Sequence, residues 1–244
     1  MNMHIDTIRF PAAWVLGTIL AMASASAADK STPPAQSPST QPVVYKATKA
    51  TAPSVRVTGG SRGSGESQIS LDVLTPDSVG LTTMEQPSLF WYQSKPATAL
   101  FEMTLLREDR DDPVMKITVD RAATAGIQRV NLADHNVKLT AGVEYQWVVA
   151  LITDPENRSS DLVASGIVQR IEPPDELKNK LSTAPPADKA GIYAEAGIWY
   201  DALTSLCNEI DSQPDNKILR ESRSKLLHQV GLKFASTADA TPSK

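Results

Sequence analysis

At 244 residues, with 24 Lys/Arg against 28 Asp/Glu and a formal net charge of −4, the chain has room for one large or two small domains. It shows no basic excess, which argues against nucleic acid as a partner, because neutralising phosphates needs clustered Lys and Arg. A single cysteine, Cys207, excludes an internal disulfide framework, so stability must come from a packed core.

Residues 1–27 are predicted to be a secretory signal. Arg9 supplies a weak positive start, Phe10 to Met22 is apolar, and Ala23-Ser24-Ala25-Ser26-Ala27 is a small-residue cleavage site. The apolar run is too short to span a bilayer, so the expectation is cleavage near Ala27 and a mature chain without a transmembrane span. No Cys follows the run, so no lipid-attachment site is expected.

Residues 28–68 read as a disordered linker. Pro, Ser, Thr, Ala and Gln dominate, and the segment ends in the glycine cluster Gly59-Gly60-Ser61-Arg62-Gly63-Ser64-Gly65. The cluster lacks the preceding strand and following Lys-Ser/Thr of a phosphate cradle. Five Lys/Arg against two Asp/Glu give this stretch a net +3, whereas nine against fifteen make residues 69–172 net −6.

From 69 to 172 the pattern is short alternating runs broken by turns. Strands are expected near 69–74, 88–93, 99–106, 114–119, 126–132, 143–152 and 162–171, enough for a two-sheet sandwich. If Leu89 and Trp91 face the core, Phe90 and Tyr92 face away from it, since strand side chains alternate. Two such aromatics call for a cover: the C-terminal helices, a partner protein, or a sugar ring stacked on an aromatic platform. The acidic run Glu108-Asp109-Arg110-Asp111-Asp112 lacks the spacing and turn glycine of a calcium loop and reads as a solvated hairpin tip.

Past Pro173-Pro174 the period becomes helical. A short helix is expected over 175–181, and a second, capped near Asp188, runs to about Ala196, where Gly197 ends it. A third covers about 198–212, with Trp199, Leu203, Leu206 and Ile210 on one face. Pro214 leads a fourth that ends at Val230, and 235–244 reads as a frayed tail. Asp201 is expected either on a docking surface beside Tyr200 or as a bond that locks the helices to the sandwich.

Three resemblances follow from these residues. The run Leu139 to Val149, with Gly142 before Tyr145 and Trp147, resembles the tyrosine corner of fibronectin type III domains, and Pro87 to Trp91 resembles their second strand. Tyr193, Gly197, Ala202, Leu206 and Pro214 stand at the offsets of a single tetratricopeptide repeat. Pro186 and Lys189 replace the Trp and Leu that open that repeat, and Glu209 replaces a usual Ala. Over roughly residues 45–232 the chain is similar to a bacterial family catalogued as domain of unknown function 928. Gly59–Gly63, Pro87–Tyr92, Tyr145–Trp147 and above all Gly197-Ile198-Trp199-Tyr200-Asp201-Ala202-Leu203 carry that likeness. The resemblance implies an exported bacterial protein and supplies no reaction.

No catalytic or metal-binding constellation emerges: His4, His135 and His228 sit at no ligand spacing, and no Ser lies in a nucleophile elbow. The expectation is therefore an α+β protein: a seven-stranded fibronectin- or immunoglobulin-like sandwich followed by a helical hairpin and one helix, at 173–234. It would be a periplasmic, non-enzymatic protein without cofactor, binding another envelope protein or, alternatively, an envelope glycan. The candidate contact residues are Phe90, Tyr92, Trp199, Tyr200 and Asp201.

Overall fold

The computed structural model describes residues 42–47, 56–60, 69–97, 99–119 and 124–240, all within one compact unit spanning Gln36–Lys244. The expected signal at 1–27 lies outside the described residues. Among the described residues the chain is mixed α+β: two β-sheets followed by five α-helices.

Among the described residues nine strands form: β1 (Gly59–Gly60), β2 (Ser70–Val73), β3 (Gly80–Thr82), β4 (Ser88–Gln93), β5 (Leu100–Arg107), β6 (Met115–Val119), β7 (Gly126–Asn131), β8 (Glu144–Ile152) and β9 (Leu162–Arg170). One sheet has the order β1-β2-β4-β7 and the other β3-β9-β8-β5-β6. Every pairing is antiparallel except β3 on β9, where Gly80, Leu81 and Thr82 face Val168, Gln169 and Arg170 in parallel. Seven strands coincide with the expected ones to within a residue or two. The other two correct the seven-strand expectation, since β1 and β3 are too short to show an alternation.

Alternation sends Leu71, Val73, Leu89, Trp91, Phe101, Met103, Leu105, Tyr145, Trp147, Val149 and Leu151 into a common core shared by both sheets. Tyr145 pins the entry into β8: its phenol oxygen accepts the Thr140 backbone N–H at 3.1 Å. The run Glu108–Asp112 forms the exposed turn between β5 and β6, as its charge requires.

The helices are α1 (Asp175–Thr183), α2 (Pro186–Glu195), α3 (Trp199–Ser212), α4 (Lys217–Gln229) and α5 (Lys233–Ala240). Pro186 occupies the first turn of α2, where its missing N–H costs nothing, so Asp188 lies inside the helix and does not cap it. Gly197 ends α2 with φ +76°, and Ile198 N–H donates to the Tyr193 carbonyl at 2.9 Å. A side chain at Gly197 would strain this left-handed stop, from which α3 folds back on α2. Asn216 caps α4, its side-chain oxygen accepting from the Ile218 and Leu219 N–H groups.

Two expected boundaries move. Residues 235–240 are not a frayed tail: they belong to α5, whose Ala235, Ser236 and Asp239 are buried. Parts of the expected linker are also packed. Gly59–Gly60 pairs with β2, Arg56 is anchored to Thr75, Asp77 and Val230, and residues 42–47 lie against the helices. The compositional reading missed these because backbone pairing needs no apolar side chains.

Candidate functional site

The most distinctive segment of the chain, Gly197 to Leu203, starts at the α2–α3 corner and points three successive side chains into the sandwich. Trp199 Nε1 donates to the Leu74 carbonyl at 2.8 Å. The Tyr200 hydroxyl accepts from Trp147 Nε1 at 2.8 Å, and its own proton serves Thr75 Oγ1 or the Ile167 carbonyl, each at 3.1 Å. The Asp201 carboxylate accepts from Thr82 Oγ1 at 2.5 Å, Thr83 N–H at 2.9 Å and Thr83 Oγ1 at 2.5 Å. These contacts reach β3, β8, β9 and the turn after β2, so one helical turn joins both sheets to the helical unit.

Close packing makes the joint specific. A Cβ on Gly80 would stand 2.5 Å from Tyr200 Cε2, so β3 can approach α3 only as glycine. Burial pushes the Tyr200 phenol well above the usual tyrosine range. It also raises the Asp201 carboxyl, an effect its bonds to Thr82 and Thr83 oppose without cancelling.

The five candidate residues therefore all lie inside. Trp199 and Tyr200 are 0% exposed and Asp201 3%, so the lock is the role that Asp201 plays, not the docking surface. Phe90 and Tyr92 do face away from the sandwich core, but at 1% and 7% exposure they offer no platform to a sugar ring or a partner. Helix α3 packs on β4, and Tyr92 lines a cavity together with Ile210 of α3 and Ala235 of α5. The Arg129 guanidinium lies 5.8 Å from the centre of the Phe90 ring and donates to Asn208 at 2.9 Å. The helices are the cover that β4 needs.

A second buried cluster ties α5 down. Arg223 Nε and Nη2 donate to the two Asp239 oxygens at 2.8 and 2.6 Å, and Nη1 donates to Cys207 Sγ at 3.2 Å. Burial pushes the Cys207 thiol up despite Arg223, which leaves it a poor nucleophile. The cavity beside this cluster measures about 400 Å³, with Arg220, Arg223, Asp211 and Asp239 among its lining. Another, of about 570 Å³, lies along the outer face of the larger sheet by Arg107, Glu108, Glu144 and Gln146.

Among the described residues no group of three or more His, Cys, Asp or Glu could hold a metal ion, and no helix is long and apolar enough to cross a membrane. The residues that complete the joint, Thr82, Thr83, Thr75 and Arg56, escaped sequence reasoning. Thr75 and Thr83 lie in turns, Thr82 on a three-residue strand and Arg56 ahead of the sheets, and none of these settings carries a periodic signal.

One family model, described as Domain of Unknown Function (DUF928), matches residues 57–240, which takes in both sheets and all five helices. No curated protein matches the chain.

Proposed function

The chain belongs to the domain of unknown function 928 family, and on that premise we propose that it is a non-enzymatic protein of the bacterial periplasm that binds another envelope protein. Its sandwich serves as a fibronectin-like frame for a helical hairpin of tetratricopeptide type. The strand order and the Tyr145–Thr140 bond support the first likeness, and the α2–Gly197–α3 corner with buried Ala190, Ala194 and Ala202 supports the second.

One observation carries the reading. The chain's most distinctive residues, Trp199, Tyr200 and Asp201, are spent wholly on fastening two modules together. Such fastening fixes the geometry of a presented surface, which is what a binding protein needs. Export rests on the signal-like residues 1–27.

Cell fractionation and N-terminal sequencing test the location: a mature chain beginning at Ala28 in the periplasmic extract is expected, and cytoplasmic retention of the uncleaved chain contradicts it. Crosslinking in the periplasm tests the role. A reproducible protein partner, enriched over an unrelated exported bait, is expected. No enrichment, together with cleavage of envelope glycan by the purified chain, would overturn the proposal.

A further inference from the structure

Residues Pro42–Ala47 cross the helical unit as an extended strap. Val43 and Tyr45 turn inward and are partly buried, while Val44 and Lys46 face solvent, the two-residue alternation of a strand. Gln229, the last residue of α4, grips one edge of the strap's backbone with both atoms of its amide. Its Oε1 accepts the Tyr45 N–H at 2.8 Å and its Nε2 donates to the Val43 carbonyl at 2.9 Å. The Lys46 N–H donates to the Ala194 carbonyl near the end of α2 at 3.0 Å.

Two side-chain contacts complete the set. The Tyr45 ring stands edge-on to Trp199, with centroids 5.0 Å apart and planes at 77°. Lys46 Nζ meets Glu195 at 2.7 Å, but both side chains are more than half exposed, at 62% and 66%, so this pair holds weakly. The backbone contacts suit any extended segment, and the side-chain contacts select an aromatic followed by a cation. Ala194, Glu195, Trp199 and Gln229 fall within the family match at 57–240, whereas the strap lies upstream of it.

We propose that this groove, between the ends of α2 and α4, docks an extended segment of a partner protein bearing an aromatic residue followed by Lys or Arg, and that Pro42–Ala47 is its built-in occupant. The proposal rests on the protein-binding reading and gives it a surface. The occupant is a partner and not a second copy of the chain, for an energetic reason. Arg56 is anchored to the Val230 carbonyl at 3.1 Å, one residue beyond Gln229, so the strap is tethered close to its own groove. An identical strap from another copy would make the same contacts, lose its freedom on association and meet a competitor at high local concentration. A partner segment with stronger contacts can win.

The test uses the mature full-length chain and a fluorescein-labelled, end-capped peptide of sequence PVVYKA. Tyr45→Ala, which weakens the strap, should bind the peptide at least about tenfold more tightly than wild type, because the tethered competitor is disabled. Adding Gln229→Ala should reduce that binding about tenfold, a loss of one charge-free bidentate contact. No binding by a folded Tyr45→Ala chain, or binding indifferent to Gln229→Ala, overturns the proposal. Should Tyr45→Ala fail to fold, hydrogen exchange of wild type answers the same question. Peptide at tens of millimolar, above the roughly millimolar effective concentration that tethering gives the strap, must accelerate exchange of the Tyr45 and Lys46 amides, and unchanged exchange at that concentration overturns the proposal. A wild-type dimer that Tyr45→Ala abolishes would also overturn it, in favour of strap exchange between copies. A crosslinked partner retained equally by wild type and Gln229→Ala removes the groove and leaves the protein-binding reading standing. Peptide binding as expected with no partner recovered does the reverse.

Discussion

Asp201 gives up almost all of its hydration at 3% exposure, and three hydrogen bonds from Thr82 and Thr83 replace it. Removing the acceptor strands those donors, so Asp201→Ala should cost about 3 kcal/mol in urea unfolding, and Asp201→Asn about 1, since an amide oxygen can still accept. The pH dependence has a definite sign. Burial holds the native carboxyl above the ordinary aspartate value of 3.8, so its contribution is complete below that value and is lost as pH rises through the native one. Wild type should therefore gain on Asp201→Asn as pH falls from neutral toward about 4, where a conventional ion pair would show the opposite trend. Stability curves of the two proteins that run parallel across that range would remove burial as the dominant influence on Asp201. Beside it, Tyr200→Phe leaves the buried Trp147 Nε1 without its acceptor at 2.8 Å and should cost about 2 kcal/mol, read by the same unfolding assay.

Between elements, the contact of β3 with α3 is tight enough to be tested by its own reversal. Gly80→Ala places a methyl 2.5 Å from the Tyr200 ring and should destabilise by about 1–3 kcal/mol. In a Tyr200→Ala background the methyl's nearest remaining neighbour is Thr75 Oγ1, at 3.0 Å, so the same change should cost at least about 1 kcal/mol less. Additive effects in that double-mutant cycle would mean that strand and helix do not meet here. Helix α5 depends on a different device: Asp239→Ala leaves Arg223 charged and buried, and should cost about 3–5 kcal/mol in thermal or urea unfolding. How well each element could be read in the sequence follows its physics. Strands of four or more residues declared themselves by alternation, and α3 by the spacing of Trp199, Leu203, Leu206 and Ile210. Strand β3, three residues long, and β1, two glycines, have nothing to alternate. Helix α5 is small and polar in composition, and its reason to fold lies sixteen residues away in Arg223, a separation no local pattern reveals.

For the whole molecule, what the sequence left open was which of the named covers closes β4. Alternation correctly set Phe90 and Tyr92 opposite Leu89 and Trp91, yet all six residues of β4 are buried, because the helices close the second face. Sequence could supply the direction of a side chain but not the identity of its cover, which is a matter of tertiary packing. The same holds for Trp199 and Tyr200, named as candidate contact residues, whose polar tips reach backbone and side-chain partners across the joint. The consequence is a molecule in which sheets and helices share one hydrophobic cluster. That mutual dependence is the central claim, and equilibrium unfolding followed by two probes tests it most directly. Near-ultraviolet tryptophan signals report Trp91 and Trp147 between the sheets together with Trp199 at the joint, and far-ultraviolet ellipticity at about 222 nm reports the helices. The account predicts coincident urea transitions that shift together in Asp201→Ala. Helices that melt in a separate transition, ahead of the main tryptophan transition, would contradict it.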